Sequence, residues 1–249
     1  VIPIRDHNPT RSRPYVVFAL IALNAFIWLY EVSLLYGPGG DLALARFVQE
    51  WGVVPIRLTY GPDPVAWLTP LSSMFMHGGW MHVIGNMWFL WVFGDNVEDV
   101  LGKGRFIVFY VACGLVAVAA QVVIDPSSQV PMVGASGAIA GVLAGYVMLH
   151  PKARVTTLIP FIFIMFVELP AYVFIFVWFG YQLILGVGSL GAVGDNVGGT
   201  AFFAHIGGFL AGLALIKVMA PRGPRPPKRR TVHVERPGEW GYDRHRPLH

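Results

Sequence analysis

The sequence predicts an all-α fold, a polytopic membrane bundle of six transmembrane helices. Three observations carry that expectation. Of 249 residues, 55% are hydrophobic and 13% are charged, against about 25% charged in ordinary globular domains. The apolar residues fall in runs near the roughly 20 residues a span needs. The charges gather at the ends of those runs rather than within them. A chain that houses six spans in this length has little room for a second folded domain.

Taken in order, residues 1–14 form a polar arm carrying Arg5, Arg11 and Arg13, and residues 15–220 form the membrane domain. The first apolar run, Tyr15 to Tyr36, is long and lacks a clear small-residue cleavage site. It reads as a retained span rather than a cleaved leader. A Gly- and Pro-rich outer loop follows, residues 37–78. The second span covers about Gly79 to Val97. The third begins after Lys103-Gly104-Arg105 and ends near Ile124. The fourth covers about Gly134 to Leu149.

The stretch 155–188 is too long for one upright span and is divided by Glu168-Leu169-Pro170. Proline suits a helix's first turn, so the fifth span is expected from near Pro170 to near Leu190. Residues 155–168 are then an interfacial or re-entrant segment. A sixth span runs from about Thr200 to Ala220. Residues 221–249 make a basic tail whose composition predicts disorder.

Charge placement predicts orientation. The arm, the second-to-third connection (Lys103, Arg105), the fourth-to-fifth connection (Lys152, Arg154) and the C-terminal end (Lys217, Arg222, Arg225, Lys228, Arg229, Arg230) all fall on one side of a six-span chain. The other side holds Arg46 and Arg57. By the positive-inside rule, both termini are cytoplasmic. The net charge of +4 reads as this signal and not as a nucleic-acid surface. The lone Cys113 excludes an intrachain disulfide.

Polar residues inside apolar runs are costly and therefore informative. In this orientation the second, fourth and sixth spans enter from the outer side. Ser136 lies in the first turn of the fourth, and His205 lies near the start of the sixth. His82 and Asn86 share a face of the second, because i and i+4 align on a helix. The four therefore reach similar depth. Ser136 can act as nucleophile and His205 as its base. His82, Asn86 and the Ser136 backbone N–H can stabilise an oxyanion. No span carboxylate shares this depth, so a dyad without an acid is expected. Gly134, Gly137 and Gly141, with Gly208 and Gly212, supply small faces on which helices can close around the site.

Three motifs resemble the rhomboid family of intramembrane serine proteases. They are Gly134-x-Ser136-Gly137, His82-x-x-x-Asn86 with His77 before it, and Ala204-His205-x-x-Gly208-x-x-x-Gly212. The likeness extends from the N-terminal arm to the sixth span. It implies a rhomboid-like six-helix membrane domain and an endopeptidase that cuts membrane proteins in or near their transmembrane helices. It implies Ser136 as nucleophile, His205 as base, and His82 with Asn86 at the oxyanion. It also implies a lateral substrate gate around the fifth helix, where Phe174, Trp178, Phe179 and Gln182 would belong. The family's Trp-Arg pair in the first loop is not matched, since Trp51 precedes Gly52.

This chemistry calls for no metal and no organic cofactor. The expected partners are transmembrane protein substrates and the lipid bilayer, with no nucleic acid, and nothing in the residues specifies an oligomeric state. The expected location is the cell membrane, with the site open to the extracytoplasmic side. Two alternatives remain from the residues: a non-catalytic rhomboid-like protein that binds membrane helices, and a transporter. The first would be expected to have lost Ser136 or His205. The second would be expected to show paired broken helices in two related halves.

Overall fold

The computed structural model describes residues 2–61, 63–160, 164–189 and 201–221. The chain opens with strand β1 (Ile2–Asp6) and helix α1 (Tyr15–Tyr36). The long loop then forms α2 (Gly40–Trp51), α3 (Pro55–Thr59) and α4 (Thr69–Ser72), with short 3-10 turns around α4. Helices α5 (Trp80–Leu101), α6 (Lys103–Ile124) and α7 (Ser136–Leu149) follow. After them come β2 (Arg154–Pro160), β3 (Ile164–Pro170), α8 (Ala171–Ser189) and α9 (Phe202–Met219). The basic tail beyond Pro221 lies outside the described residues.

Tyr15–Tyr36, Lys103–Ile124 and Phe202–Met219 are long and apolar enough to cross a membrane. Ser136–Leu149 and Ala171–Leu185 are shorter apolar helices. α7 is the innermost helix of the bundle: Gly137 through Val147 are all buried. Its neighbours supply large side chains that fill the core, among them Phe93, Phe106, Phe109, Tyr110 and Phe209.

Two features correct the all-α expectation for the N-terminal arm and the α7–α8 connection. β1, β2 and β3 form a three-stranded antiparallel sheet in that order. The expected interfacial or re-entrant segment is therefore a β-hairpin, with Val155 opposite Leu169 and Asp6 opposite Val155. The physical reason is that Arg154-Val-Thr-Thr-Leu-Ile is rich in branched side chains that suit a pleated surface. A hairpin also satisfies the backbone that a lone extended segment would leave unpaired. The N-terminal arm is likewise ordered. Asp6 accepts hydrogen bonds from Tyr146 Oη at 2.6 Å and Asn96 Nδ2 at 2.9 Å. Burial raises the Asp6 carboxyl above its ordinary range, and the Tyr146 bond opposes the rise.

α1 starts after Pro14, with no side-chain cap of its own. Glu98 from the end of α5 does that work, accepting from Val16 N–H at 3.2 Å and Val17 N–H at 2.9 Å. A carboxylate here satisfies free amide donors and meets the positive end of the helix dipole. At the opposite end of the bundle the long loop is pinned in a similar way. The buried Glu31 of α1 accepts the His77 N–H at 3.1 Å. Val53 bridges Met132, and Ser72 Oγ donates to the Trp51 carbonyl at 2.6 Å. This pinning fixes the approach to the starts of α5 and α7.

Candidate active site

Ser136 is the first residue of α7, His205 the fourth of α9, and His82 the third of α5. Three helices thus begin at the same end of the bundle, as the sequence predicts. Ser136 Oγ lies 2.7 Å from His205 Nε2, so the serine hydroxyl can donate directly to the imidazole.

The glycines explain how two backbones come this close. A methyl added at Gly208 would fall on the Gly137 carbonyl oxygen, and one at Gly212 on the Gly141 carbonyl oxygen. α9 therefore rests on α7 backbone to backbone. The α7 glycines face α6 as well, since a Cβ at Gly137 would meet Ala117 and one at Gly141 would meet Cys113. Gly134 does a different job from the helix-packing one expected of it. It lies before α7 with φ +131°, a conformation that favours glycine. A Cβ there would sit 2.7 Å from His82 Nε2 and 3.7 Å from Asn86 Nδ2. Gly134 thus keeps open the space onto which both side chains converge.

The donors are oriented for that space. Gly78 N–H donates to His82 Nδ1 at 3.3 Å, which leaves Nε2 as the protonated nitrogen of a neutral ring. His77 packs edge-on against the His82 ring, with centroids 5.1 Å apart. His77 itself lies in the long loop, where burial depresses its pKa to about 3 and keeps it neutral. Asn86 is 8% exposed, and its Nδ2 has no hydrogen-bond partner among the described residues. A buried amide donor without a partner is costly. Here it faces a cavity of about 770 Å³ that also exposes Ser136 and His205.

The residues expected in the gate region divide. Trp178 lines the cavity and lies against the His205 ring, with centroids 5.9 Å apart. Phe174 does not line it. It is 3% exposed and packs on Phe89 and Phe93 of α5. Gln182 has a more specific position than the gate region implies: its Oε1 is 2.8 Å from His205 Nδ1. The available signal was a polar residue four places after Trp178 on an otherwise apolar helix.

Residues 65–222 match the family described as the Rhomboid domain. The chain belongs to the rhomboid family. The match takes in His82, Asn86, Ser136, Gln182 and His205, and leaves α1 to α3 outside it. Among similar proteins is YdcA of Bacillus subtilis (strain 168), provisionally named a rhomboid protease, 30% identical over 139 residues, which are 56% of this chain and 64% of that one. Rhomboid-like protein 11, chloroplastic, of Arabidopsis thaliana is 29% identical over 140 residues, 56% of this chain and 44% of that one. Rhomboid protease GluP of Bacillus subtilis (strain 168) is 39% identical over 77 residues, 31% of this chain and 15% of that one. The chain thus spans less than two thirds of these relatives' lengths. Rhomboid membership, together with the three membrane-length apolar helices among the described residues, makes this a membrane protein of an intramembrane protease family.

Proposed function

We propose that the protein is an intramembrane serine endopeptidase, hydrolysing peptide bonds in or near the transmembrane helices of other membrane proteins. The observation that carries this reading is the 2.7 Å Ser136–His205 hydrogen bond beside two side-chain donors that converge at Gly134.

In this reading α1, α5, α6, α7, α8 and α9 are the six spans, and both termini are cytoplasmic. Residues 15–220 form the membrane domain, and the cavity opens to the extracytoplasmic side of the cell membrane. The pairing of β1 with β2 supports this arrangement, because it puts the arm and the α7–α8 connection at the same end. The 14 residues of α7 rise about 21 Å, well short of the roughly 30 Å hydrocarbon core. Its first residue, Ser136, would therefore lie below the outer surface, with room for water above it.

Ser136 Oγ attacks the substrate carbonyl carbon while His205 Nε2 takes the hydroxyl proton. The oxyanion forms toward Gly134, where His82 Nε2–H, Asn86 Nδ2–H and the Ser136 N–H can meet it. His205 then gives its proton to the leaving amine as the C–N bond breaks, which leaves an acyl-enzyme. Water, deprotonated by His205, adds to the ester carbonyl, and Ser136 leaves with the proton returned. Trp178 on α8 forms one wall of the path by which a substrate helix would enter.

The test uses the purified protein in lipid vesicles with a model transmembrane substrate. Wild type is expected to cleave it. Ser136→Ala and His205→Ala are each expected to lose at least about 10³-fold in rate, because members of a nucleophile–base pair act as a unit. A non-catalytic helix-binding protein would bind the substrate with no Ser136-dependent product.

A further inference from the structure

α8 is exposed along most of its length. Phe176, Val177, Tyr181, Ile184 and Val187 all face outward. Gln182 breaks the pattern, being 7% exposed. A buried amide in an apolar helix is costly unless it finds a partner. Its partner is His205, through Oε1 and Nδ1 at 2.8 Å. One turn earlier Trp178 lies against the same imidazole at a 41° interplanar angle. Residues i and i+4 share a helix face, so α8 holds the ring by its edge and by its side.

We propose that Gln182 is the positioning residue of the Ser136–His205 pair. Its Oε1 accepts the His205 Nδ1–H, which leaves Nε2 unprotonated and facing Ser136 Oγ. A neutral imidazole has one donor and one acceptor nitrogen. Without an acceptor at Nδ1, the ring can take the other tautomer and turn an N–H toward the serine, where it cannot act as base. A carboxylate does this in Ser-His-Asp triads and an amide does it in Cys-His-Asn ones. Gln182 also ties the base to the position of α8. A movement of α8 away from α9 withdraws the acceptor and the Trp178 wall together, so the base is set while α8 is seated. Besides Ser136 from α7 and this pair from α8, the titratable group facing His205 among the described residues is His82 of α5.

The inference rests on Ser136 and His205 being nucleophile and base. It is tested on the full chain in vesicles with Gln182→Met, Gln182→Glu and Ser136→Ala, reading kcat, KM and the pH profile of kcat. Gln182→Met is expected to lose about 10–100-fold in kcat with KM within about twofold, since the tautomer matters to chemistry more than to binding. Gln182→Glu is expected to restore most of the rate and move the acid limb of the profile to higher pH, because a carboxylate favours the imidazolium. A Gln182→Met enzyme with wild-type kcat and profile overturns the proposal, as does a Gln182→Glu enzyme no faster than it. If Gln182→Met fails to fold, Gln182→Glu decides alone: a shifted acid limb supports the role and an unshifted one overturns it. Ser136→Ala separates the two readings. If it still cleaves, the catalytic reading itself fails; if it is inactive while Gln182→Met is unaffected, the Gln182 role alone fails.

Discussion

The α7–α9 seam and the α8 face hold the same imidazole in opposite ways. At the seam, Gly208 and Gly212 lay α9 against the carbonyls of Gly137 and Gly141, leaving no side chain that could rotate to relax the contact. Close-packed backbone of this kind sets a distance and keeps it. On the other side, α8 reaches the bundle through side chains. Phe179 stacks on Phe209 at 4.2 Å, Trp178 meets Phe89 at 6.4 Å, and Gln182 meets His205. Its outer face is exposed. The two regions divide the labour. The seam fixes the Ser136–His205 distance, whereas α8 meets the His205 ring only through side chains, Gln182 at its edge and Trp178 beside it.

The largest test of this division lies with the donors that belong to neither region. His82→Ala or Asn86→Ala is expected to lower kcat by about 10²–10³, roughly 3–4 kcal/mol, as loss of one oxyanion donor does elsewhere. KM and thermal stability should change little, and equal losses in kcat and stability would reassign these residues to packing. A smaller effect separates the two regions directly. Gly208→Ala pushes a methyl into the Gly137 carbonyl and is expected to cost about 1–3 kcal/mol, as overpacking does. Gly180→Ala on α8 meets nothing within 4 Å and should leave stability within about 1 kcal/mol of wild type. Melting midpoints of the two variants in the same detergent check the contrast. Similar midpoints would mean that the seam is no more tightly determined than α8.

The parts legible in the sequence are those written in local chemistry. Apolar run length gave α1 its limits at Tyr15 and Tyr36, and Pro170 marked the start of α8 to within a residue. That Ser136, His205 and His82 lie in the first turns of their helices followed from counting residues into the apolar runs. What stayed hidden depends on distant pairing. β1 finds its partner about 150 residues away in β2, and Thr156 and Thr157 inside an apolar stretch do not announce a sheet. The helices of the long loop, α2 to α4, lay behind its Gly and Pro content. Gln182 reads as one polar residue among aromatics until the rotation of α8 aims it at His205. Gly134 looks like a member of the helix-packing set until its positive φ puts it outside the helix, opposite His82.

Under the proposed function, Ser136 is a nucleophile activated by His205 in a water-accessible cavity. Labelling the intact protein in vesicles with a fluorophosphonate, followed by peptide mapping, tests it most directly. Covalent modification is expected on Ser136, absent in Ser136→Ala and strongly slowed in His205→Ala. Modification at another serine, or unchanged labelling without His205, would contradict it.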